Sequence, residues 1–158
     1  MRAFRPVLLS LSLLFIATAK PAPAQDAQSR LWDAAIAGDT AAIRQAVKEG
    51  ANVDSLDTRT NRNGRRALNW AAWHDRADAV KVLLELKANI EGENITGFTA
   101  LHHAAENGSM EAAKVLLAAG ADVDHVNGQG MTALIIATER GKEGVAKLIE
   151  AAPKKKKQ

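Results

Sequence analysis

Four histidines are the side chains of this chain best suited to chemistry, and their spacing does not build a reactive site. They are His74, His102, His103 and His125. A zinc site needs ligands that converge on one point, yet no H-x-x-x-H pattern and no histidine–carboxylate cluster occurs. The 158 residues include no cysteine, which excludes disulfides, thiolate zinc ligands and a cysteine nucleophile. We therefore expect no metal and no cofactor.

Short motifs of the common enzyme classes are also missing from the sequence. It has no G-x-S-x-G elbow, no phosphate loop and no dinucleotide fingerprint, and Gly128-Gln129-Gly130 is too short to count as one. The aspartates and glutamates are scattered, as is typical of helix surfaces. The sequence therefore predicts a protein that is not an enzyme.

The positive charge of the chain is concentrated at its two ends. The formal net charge is +3, but residues 1–24 carry three basic side chains and no acid, and residues 154–157 are all lysine. Subtracting these seven cations from the 21 basic residues leaves 14 against 18 acids, a body of net charge −4. A basic stripe for phosphate backbones is not evident, so we expect no nucleic-acid partner.

The first 24 residues have the pattern of a secretory signal peptide. Two arginines precede an apolar run over residues 7–16, and small residues with prolines follow. Cleavage is expected after Ala24 or after Ala19. The apolar stretch from residue 7 to 19 makes about 20 Å of helix at ~1.5 Å per residue, too short for the ~30 Å of a membrane core. We therefore expect a secreted or bacterial periplasmic protein.

The remainder of the chain repeats itself with a period of 33 residues. Residues 61–69, 94–102 and 127–135 align at this offset, each with an Ala-Leu pair near its end. Three units then close alike, over residues 51–54, 88–91 and 121–124. The first unit precedes the second by 37 residues, which places four extra residues between Asp54 and Gly64. A fixed period of this length is typical of a solenoid.

This repeat resembles the ankyrin family, whose pattern the third unit matches at nearly every position between residues 97 and 124. The resemblance implies an all-α ankyrin-repeat solenoid of about four helix-turn-helix units with extended finger loops. The expected domain spans residues 25–152, with units at 29–54, 55–91, 92–124 and 125–152, and a basic disordered tail follows at 153–158. The structural repeat positions are Gly97, Thr99, Leu101, His102, Gly108, Gly120, Gly130 and Thr132.

Turn and cap residues support the same reading on physical grounds. Thr99 and Thr132 are suited to cap inner helices, and Gly108 and Gly120 permit the positive φ that ends a helix. The resemblance implies that His102 ties the backbones of adjacent fingers together. Alanine pairs leave room for close helix packing, so few aromatic residues are needed.

Unit two departs from the pattern at three positions. Arg66 stands where Thr99 and Thr132 stand, Asp75 replaces Gly108, and Lys87 replaces Gly120. Since each change removes a cap or a glycine, we expect this unit to be locally weaker.

The resemblance also implies where a partner binds, namely on the finger tips and the solvent-facing side of the inner helices. Transferred position by position, this gives one row with Trp70, His103 and Ile136, and a second row with Trp73 and Glu106. Tryptophan often dominates the energetics of interfaces. The alternative is that one or both tryptophans pack beneath the elongated finger.

An arginine-rich segment fills the elongated finger, beside the two tryptophans. Its members are Arg59, Arg62, Arg65 and Arg66. Four guanidinium groups on an otherwise acidic body would suit an acidic surface of a protein partner. The alternative is a solvated, flexible loop.

Together these features predict an exported, monomeric, non-catalytic protein–protein interaction module. One alternative is a dedicated inhibitor or immunity-type protein for an enzyme in the same compartment. Another is an envelope-associated protein that contacts an anionic surface weakly through its lysine tail. That tail consists of Lys154, Lys155, Lys156 and Lys157.

Overall fold

A computed structural model describes residues 24–59 and 63–153, and in these ranges the chain forms eight helices and no strand. The helices are α1 (Ala24–Ala37), α2 (Thr40–Lys48), α3 (Ala67–Trp73), α4 (Ala77–Glu85), α5 (Ala100–Asn107), α6 (Met110–Ala118), α7 (Ala133–Glu139) and α8 (Glu143–Ala151). They form four pairs, in agreement with an all-α repeat stack. None of these eight is long and apolar enough to cross a membrane. Residues 1–23, Arg62 and the lysine tail lie outside the described residues.

Inner helices α1, α3, α5 and α7 pack side by side through alanine. Ala71, Ala72, Ala104 and Ala105 are completely buried, so neighbouring backbones can approach closely. The outer helices supply bulk from leucine and valine side chains that are equally buried. Because each unit buries its apolar face only against its neighbours, stacking stabilises all of them together.

The predicted capping residues stand where inner helices begin, but their hydroxyls act differently. The hydroxyl of Thr132 accepts from the Ile135 N–H at 3.3 Å, as expected for a cap. The hydroxyl of Thr99 instead lies 2.8 Å from His102 Nδ1. Gly108 ends α5 at φ +81°, the left-handed conformation predicted for it.

His102 bonds to the neighbouring finger, as the family resemblance implies. Its Nδ1 accepts from the Thr99 backbone N–H at 3.2 Å, so its proton lies on Nε2, which donates to the Met131 carbonyl at 3.1 Å. Burial lowers the pKa of this imidazole, which keeps it neutral. Asn69 holds the equivalent position in α3, and its Nδ2 donates to the Gly92 carbonyl at 3.3 Å.

The departures in unit two have partial compensation. Asp75 and Lys87 adopt left-handed φ values of +55° and +68°, a conformation that costs free energy for residues other than glycine. However, Asp75 Oδ1 accepts from the Ala112 N–H of α6 at 2.8 Å, so it caps the next outer helix. Asn69 Oδ1 likewise accepts from the Arg66 N–H at 2.8 Å, which fixes the start of α3 where threonine is missing.

Candidate partner-binding cleft

Three fingers precede α3, α5 and α7, and each is closed at its base by one backbone hydrogen bond. The N–H of Asn94 donates to the Phe98 carbonyl at 2.9 Å, and that of Asp57 donates to the Arg65 carbonyl at 2.9 Å. Asn127 and Met131 close the third finger in the same way. The first finger therefore carries the predicted extra residues between its two closing positions.

Neighbouring fingers are joined through their backbones. The Ile95 N–H donates to the Asn63 carbonyl at 2.9 Å, and the Gly128 N–H donates to the Thr96 carbonyl at 3.0 Å. Gly97 packs so closely on the third finger that an added Cβ would lie 2.6 Å from the Gly128 nitrogen. The three fingers consequently form a continuous layer beside the inner helices.

Asp57 is the acidic residue at the base of the first finger. Its carboxylate is almost fully buried and accepts from Trp70 Nε1 at 3.2 Å and from Arg59 Nε at 3.0 Å. Burial alone would raise the pKa of Asp57, but the hydrogen bonds and charge of Arg59 outweigh it and lower the pKa. In the second finger Asn94 Oδ1 instead accepts from the N–H groups of Thr96 and Phe98, both at 2.9 Å.

A side chain from each of the first two fingers covers the adjoining inner helix. The guanidinium of Arg65 lies 4.7 Å from the Trp70 ring centroid and 4.4 Å from that of Trp73. Phe98, at the equivalent repeat position, lies 5.5 Å from the ring of His103. These contacts place the first row of predicted partner-binding residues beneath the fingers.

The prediction that this row presents an exposed surface is therefore wrong. The exposed fractions are 2% for Trp70, 2% for His103 and 3% for Ile136. Trp70 instead packs beneath the elongated finger, which is the alternative that the sequence left open. Trp73 and Glu106, in the second row, remain partly exposed.

The three finger arginines in the described part of the chain all make contacts within it, and two of them form hydrogen bonds or ion pairs with neighbouring segments. Arg59 pairs with Asp57 and with Asp33, at 3.0 and 2.9 Å, and lies over the Trp32 ring at 4.9 Å. Arg66 donates to the carbonyl of Glu93 at 2.9 Å and to that of Asp54. Arg59 and Arg66 are thus held by contacts within the chain, although Arg59 is exposed and Arg66 partly so, and their contact with a partner stays a prediction.

Arg65 does reach a cleft between the fingers and the inner helices, with a volume of about 240 Å³. Its lining residues come from all three fingers, from α5 and from the end of α7. They are Asn63, Arg65, Asn94, Thr96, Phe98, His103, Glu106, Gln129 and Arg140. The guanidinium of Arg140 pairs with the Glu106 carboxylate at 3.2 Å, so charges of both signs border the opening.

His103 is the buried polar side chain of this cleft. Neither of its ring nitrogens has a hydrogen-bond partner, and Glu106 Oε2 lies 3.9 Å from Nδ1. Burial lowers the pKa of His103 to about 3, and the nearby charge of Arg65 acts in the same direction. The imidazole is therefore neutral near pH 7 and carries one donor and one acceptor.

Two apolar finger tips lie beside the cleft. Ile95 is 68% exposed and Val126 is 55% exposed, the largest such fractions among large apolar side chains in the described ranges. They line a second hollow, between the second and third fingers, to which Thr96 and Gln129 also contribute. Since Thr96 and Gln129 border both hollows, the polar cleft and the apolar tips form one continuous surface.

Sequence reasoning missed the residues that the fingers contribute to the cleft. Asn63, Thr96 and Gln129 share one repeat position, 33 residues apart, and each lines the opening. Reading variable finger positions along the period would have found them. Arg140 carries no such signal, because its pairing with Glu106 depends on how α5 and α7 pack.

Neither hollow contains a group that would assign a reaction. In the two described ranges, no set of three or more histidine, cysteine, aspartate or glutamate side chains is placed to hold a metal ion. The titratable groups lining the cleft are the neutral His103, Glu106 and the two arginines. This arrangement can form hydrogen bonds and ion pairs with a bound group.

Comparison with known proteins identifies the repeat. A family model described as ankyrin repeats (3 copies) matches residues 10–94 and 88–158. No curated protein matches the sequence.

Proposed function

The chain belongs to the ankyrin-repeat family, and we propose that it is an exported, non-catalytic module that binds one protein partner in the finger cleft. Ankyrin repeats are generally protein–protein interaction modules, which supports the class of function. The protein acts as a monomer in this proposal. Its export, its monomeric state and the position of its binding site go beyond the general role of the family.

The continuous surface of cleft and finger tips is the observation that carries this proposal. Exposed apolar side chains bordered by polar groups are characteristic of protein interfaces. Here Ile95 and Val126 supply the apolar contact, while Arg65, Glu106 and Arg140 supply charges that orient a partner. The backbone bonds between fingers hold this surface in one shape, which reduces the entropy lost on binding.

Charge reversal at the edge of the cleft tests the position of the site. Arg140→Glu places a negative charge beside Glu106, whereas Lys114→Glu makes the same change on α6, outside the cleft. The two cations match, because each is exposed and pairs with one glutamate. We expect affinity capture from the native compartment to retain one protein on the wild type and on Lys114→Glu, and to lose it with Arg140→Glu. Equal retention by both variants would contradict this site.

Export requires a separate measurement, since it rests on residues outside the described ranges. Residues 1–24 fused to a reporter that lacks its own leader should deliver that reporter across the membrane. Changing Arg2 and Arg5 to glutamate should abolish delivery, because the positive region of a signal peptide is then lost. Delivery that is unaffected by this change would contradict an export signal here.

A further inference from the structure

The unpaired imidazole of His103 sets unit three apart from its neighbours. Trp70, His103 and Ile136 occupy the same repeat position, and all three are buried. Trp70 satisfies its single polar atom by donating to Asp57, and Ile136 has none. Burying a polar group without a partner costs about 1–3 kcal/mol, so an imidazole at this position needs a physical reason.

Glu106 determines which nitrogen of His103 carries the proton. Its carboxylate oxygen lies 3.9 Å from Nδ1, too far for a hydrogen bond but close enough to favour a proton on that nitrogen. Nε2 is then a bare acceptor. Only a group that brings its own donor can satisfy it.

Asn94 supplies the complementary donor in the same cleft. Its Oδ1 accepts from the backbone of Thr96 and Phe98, which fixes the orientation of the amide. Its Nδ2 is buried and has no hydrogen-bond partner. Among the residues that line the cleft, His103 thus contributes an unpaired acceptor and Asn94 an unpaired donor.

This pair of groups discriminates between classes of ligand. A carboxylate or a fully ionised phosphate ester has no donor for the bare nitrogen, although the guanidinium groups of Arg65 and Arg140 would attract its charge. An ammonium or guanidinium group has no acceptor for the unpaired Asn94 Nδ2. A carboxamide carries a donor and an acceptor without net charge, so it matches both. The volume of about 240 Å³ is below the ~300–1,000 Å³ of drug-sized pockets and suits a single side chain.

We propose that this cleft binds the carboxamide of an asparagine or glutamine side chain of the protein partner. The amide NH₂ donates to the bare ring nitrogen of His103, and its carbonyl accepts from Asn94 Nδ2. That the carboxamide belongs to a protein rests on the proposed function. The hydrogen-bonding chemistry of the cleft follows from its own residues and does not depend on that function.

Small probes test this chemistry without the partner. The full chain with ¹⁵N-labelled histidine is titrated separately with propionamide, propionate and inorganic phosphate, and the ring nitrogen shifts of His103 are followed by NMR. We expect a saturable shift of the unprotonated nitrogen with propionamide and no saturable response to either anion. A saturable response to propionate or phosphate that is equal to or tighter than that to propionamide would overturn the proposal in favour of an anion site. The absence of any response would overturn it as well.

Asn94→Asp and Asn127→Asp provide a matched pair for the same titration. Aspartate keeps the oxygen that holds each finger turn but removes the Nδ2 donor, and only Asn94 lines the cleft. We expect Asn94→Asp to weaken propionamide binding about tenfold, the loss of roughly one hydrogen bond, and Asn127→Asp to leave it unchanged. Equal effects of the two changes would overturn the proposal.

The probe and capture experiments can fail independently. Propionamide binding with no dependence of partner capture on Arg140 would leave the carboxamide site standing and refute the proposed interface. Partner capture that depends on Arg140, with no propionamide binding, would refute the carboxamide site alone.

Discussion

The first and second fingers close with the same backbone hydrogen bond but cover their inner helices with different chemistry. Arg65 of the first finger stacks on two tryptophans, whereas Phe98 of the second packs against His102 and His103. A cation thus covers aromatic rings in unit two, and an aromatic ring covers imidazoles in unit three. The same backbone frame accepts both arrangements because the covering side chain, not the turn, contacts the helix.

The residue at the base of each finger explains why only one of the two helices retains unpaired polar atoms. Asp57 directs its carboxylate to Trp70 and Arg59, so the buried indole N–H in unit two has an acceptor. Asn94 directs its oxygen to its own finger turn, which leaves its amide nitrogen and His103 unpaired. Unit two is therefore closed by contacts within the chain, while unit three keeps groups that a ligand can satisfy.

Low pH should produce the largest difference between units two and three, because only unit three buries histidines. The pKa of His103 falls from 6.5 to about 3 on folding, and that of His102 is also lowered. As the pH falls, the unfolded chain therefore binds protons before the folded chain does. The contribution of the two neutral histidines to stability is complete above about pH 6.5 and is lost progressively below it. At ~1.4 kcal/mol per pH unit, His103 alone accounts for a loss of about 2 kcal/mol at pH 5, and His102 adds to it.

Urea unfolding at pH 7 and pH 5 measures this loss of stability. His103→Ile, which copies the residue of unit four, should reduce the pH dependence and leave only the contribution of His102. Amide exchange at pH 5 should show unit three opening more readily than it does at pH 7. A pH-independent unfolding free energy between pH 7 and pH 5 would contradict the neutral, buried state of both histidines.

Removing the carboxylate of Asp57 should have the next largest effect. Asp57→Ala leaves the buried Trp70 N–H without an acceptor and Arg59 without its more buried partner, at a cost of about 3 kcal/mol in urea unfolding. Asp57→Asn copies the residue type of the other two fingers and keeps an oxygen for Trp70, so we expect it to cost about half as much. If asparagine proves as damaging as alanine, then the charge rather than the hydrogen bond holds the first finger.

Replacing Arg65 by methionine separates the effect of its charge over the two rings from the effect of its side-chain length. Arg65→Met keeps an unbranched side chain over Trp70 and Trp73 but removes the cation, with an expected cost of about 1.5 kcal/mol. Tryptophan fluorescence should change with it. Arg140→Met, which removes only an exposed ion pair, should cost less than about 0.5 kcal/mol. Equal costs would show that the ring contacts of Arg65 do not stabilise unit two.

A glycine at position 87 should make the local stability of unit two more similar to that of unit three. Lys87→Gly relieves the left-handed conformation at φ +68° and should raise the free energy of unfolding by about 1 kcal/mol. Gly120→Ala, at the equivalent position with φ +85°, should lower it by a similar amount. Thermal unfolding of both variants measures the two effects, and destabilisation by Lys87→Gly would refute strain at this position.

The period predicted a solenoid, and the resemblance to the ankyrin family predicted the helical stack, with which the spacing of alanine, leucine and glycine agrees. The contact of His102 was implied by the same resemblance, whereas Gly108 could be predicted from its place between an inner and an outer helix. Trp70 and His103 could not, because their burial depends on the side chain that a finger places over them. The repeat period gives the sequence position of the covering side chain but not the direction in which it points.

The contacts between units could not be predicted from the sequence either. The pairing of Arg59 with Asp33 and of Arg66 with the Glu93 carbonyl could not be predicted because these acceptors lie 26 and 27 residues away, although Asp57, another acceptor of Arg59, is only two residues away. The cleft formed by three fingers is likewise a product of assembly. Composition could show only that the body carries more acid than base.

The cap that Asp75 provides to α6 has a consequence for moving units between proteins. The start of the third outer helix is stabilised by a residue that belongs to the second unit, so unit three does not encode all of its own stability. Gly108 occupies the same repeat position in unit three and has no side chain to offer the helix that follows. Unit three placed behind a copy of itself would begin its outer helix without this cap. The order of the units is therefore part of the sequence information, and the repeats of this chain are not interchangeable modules.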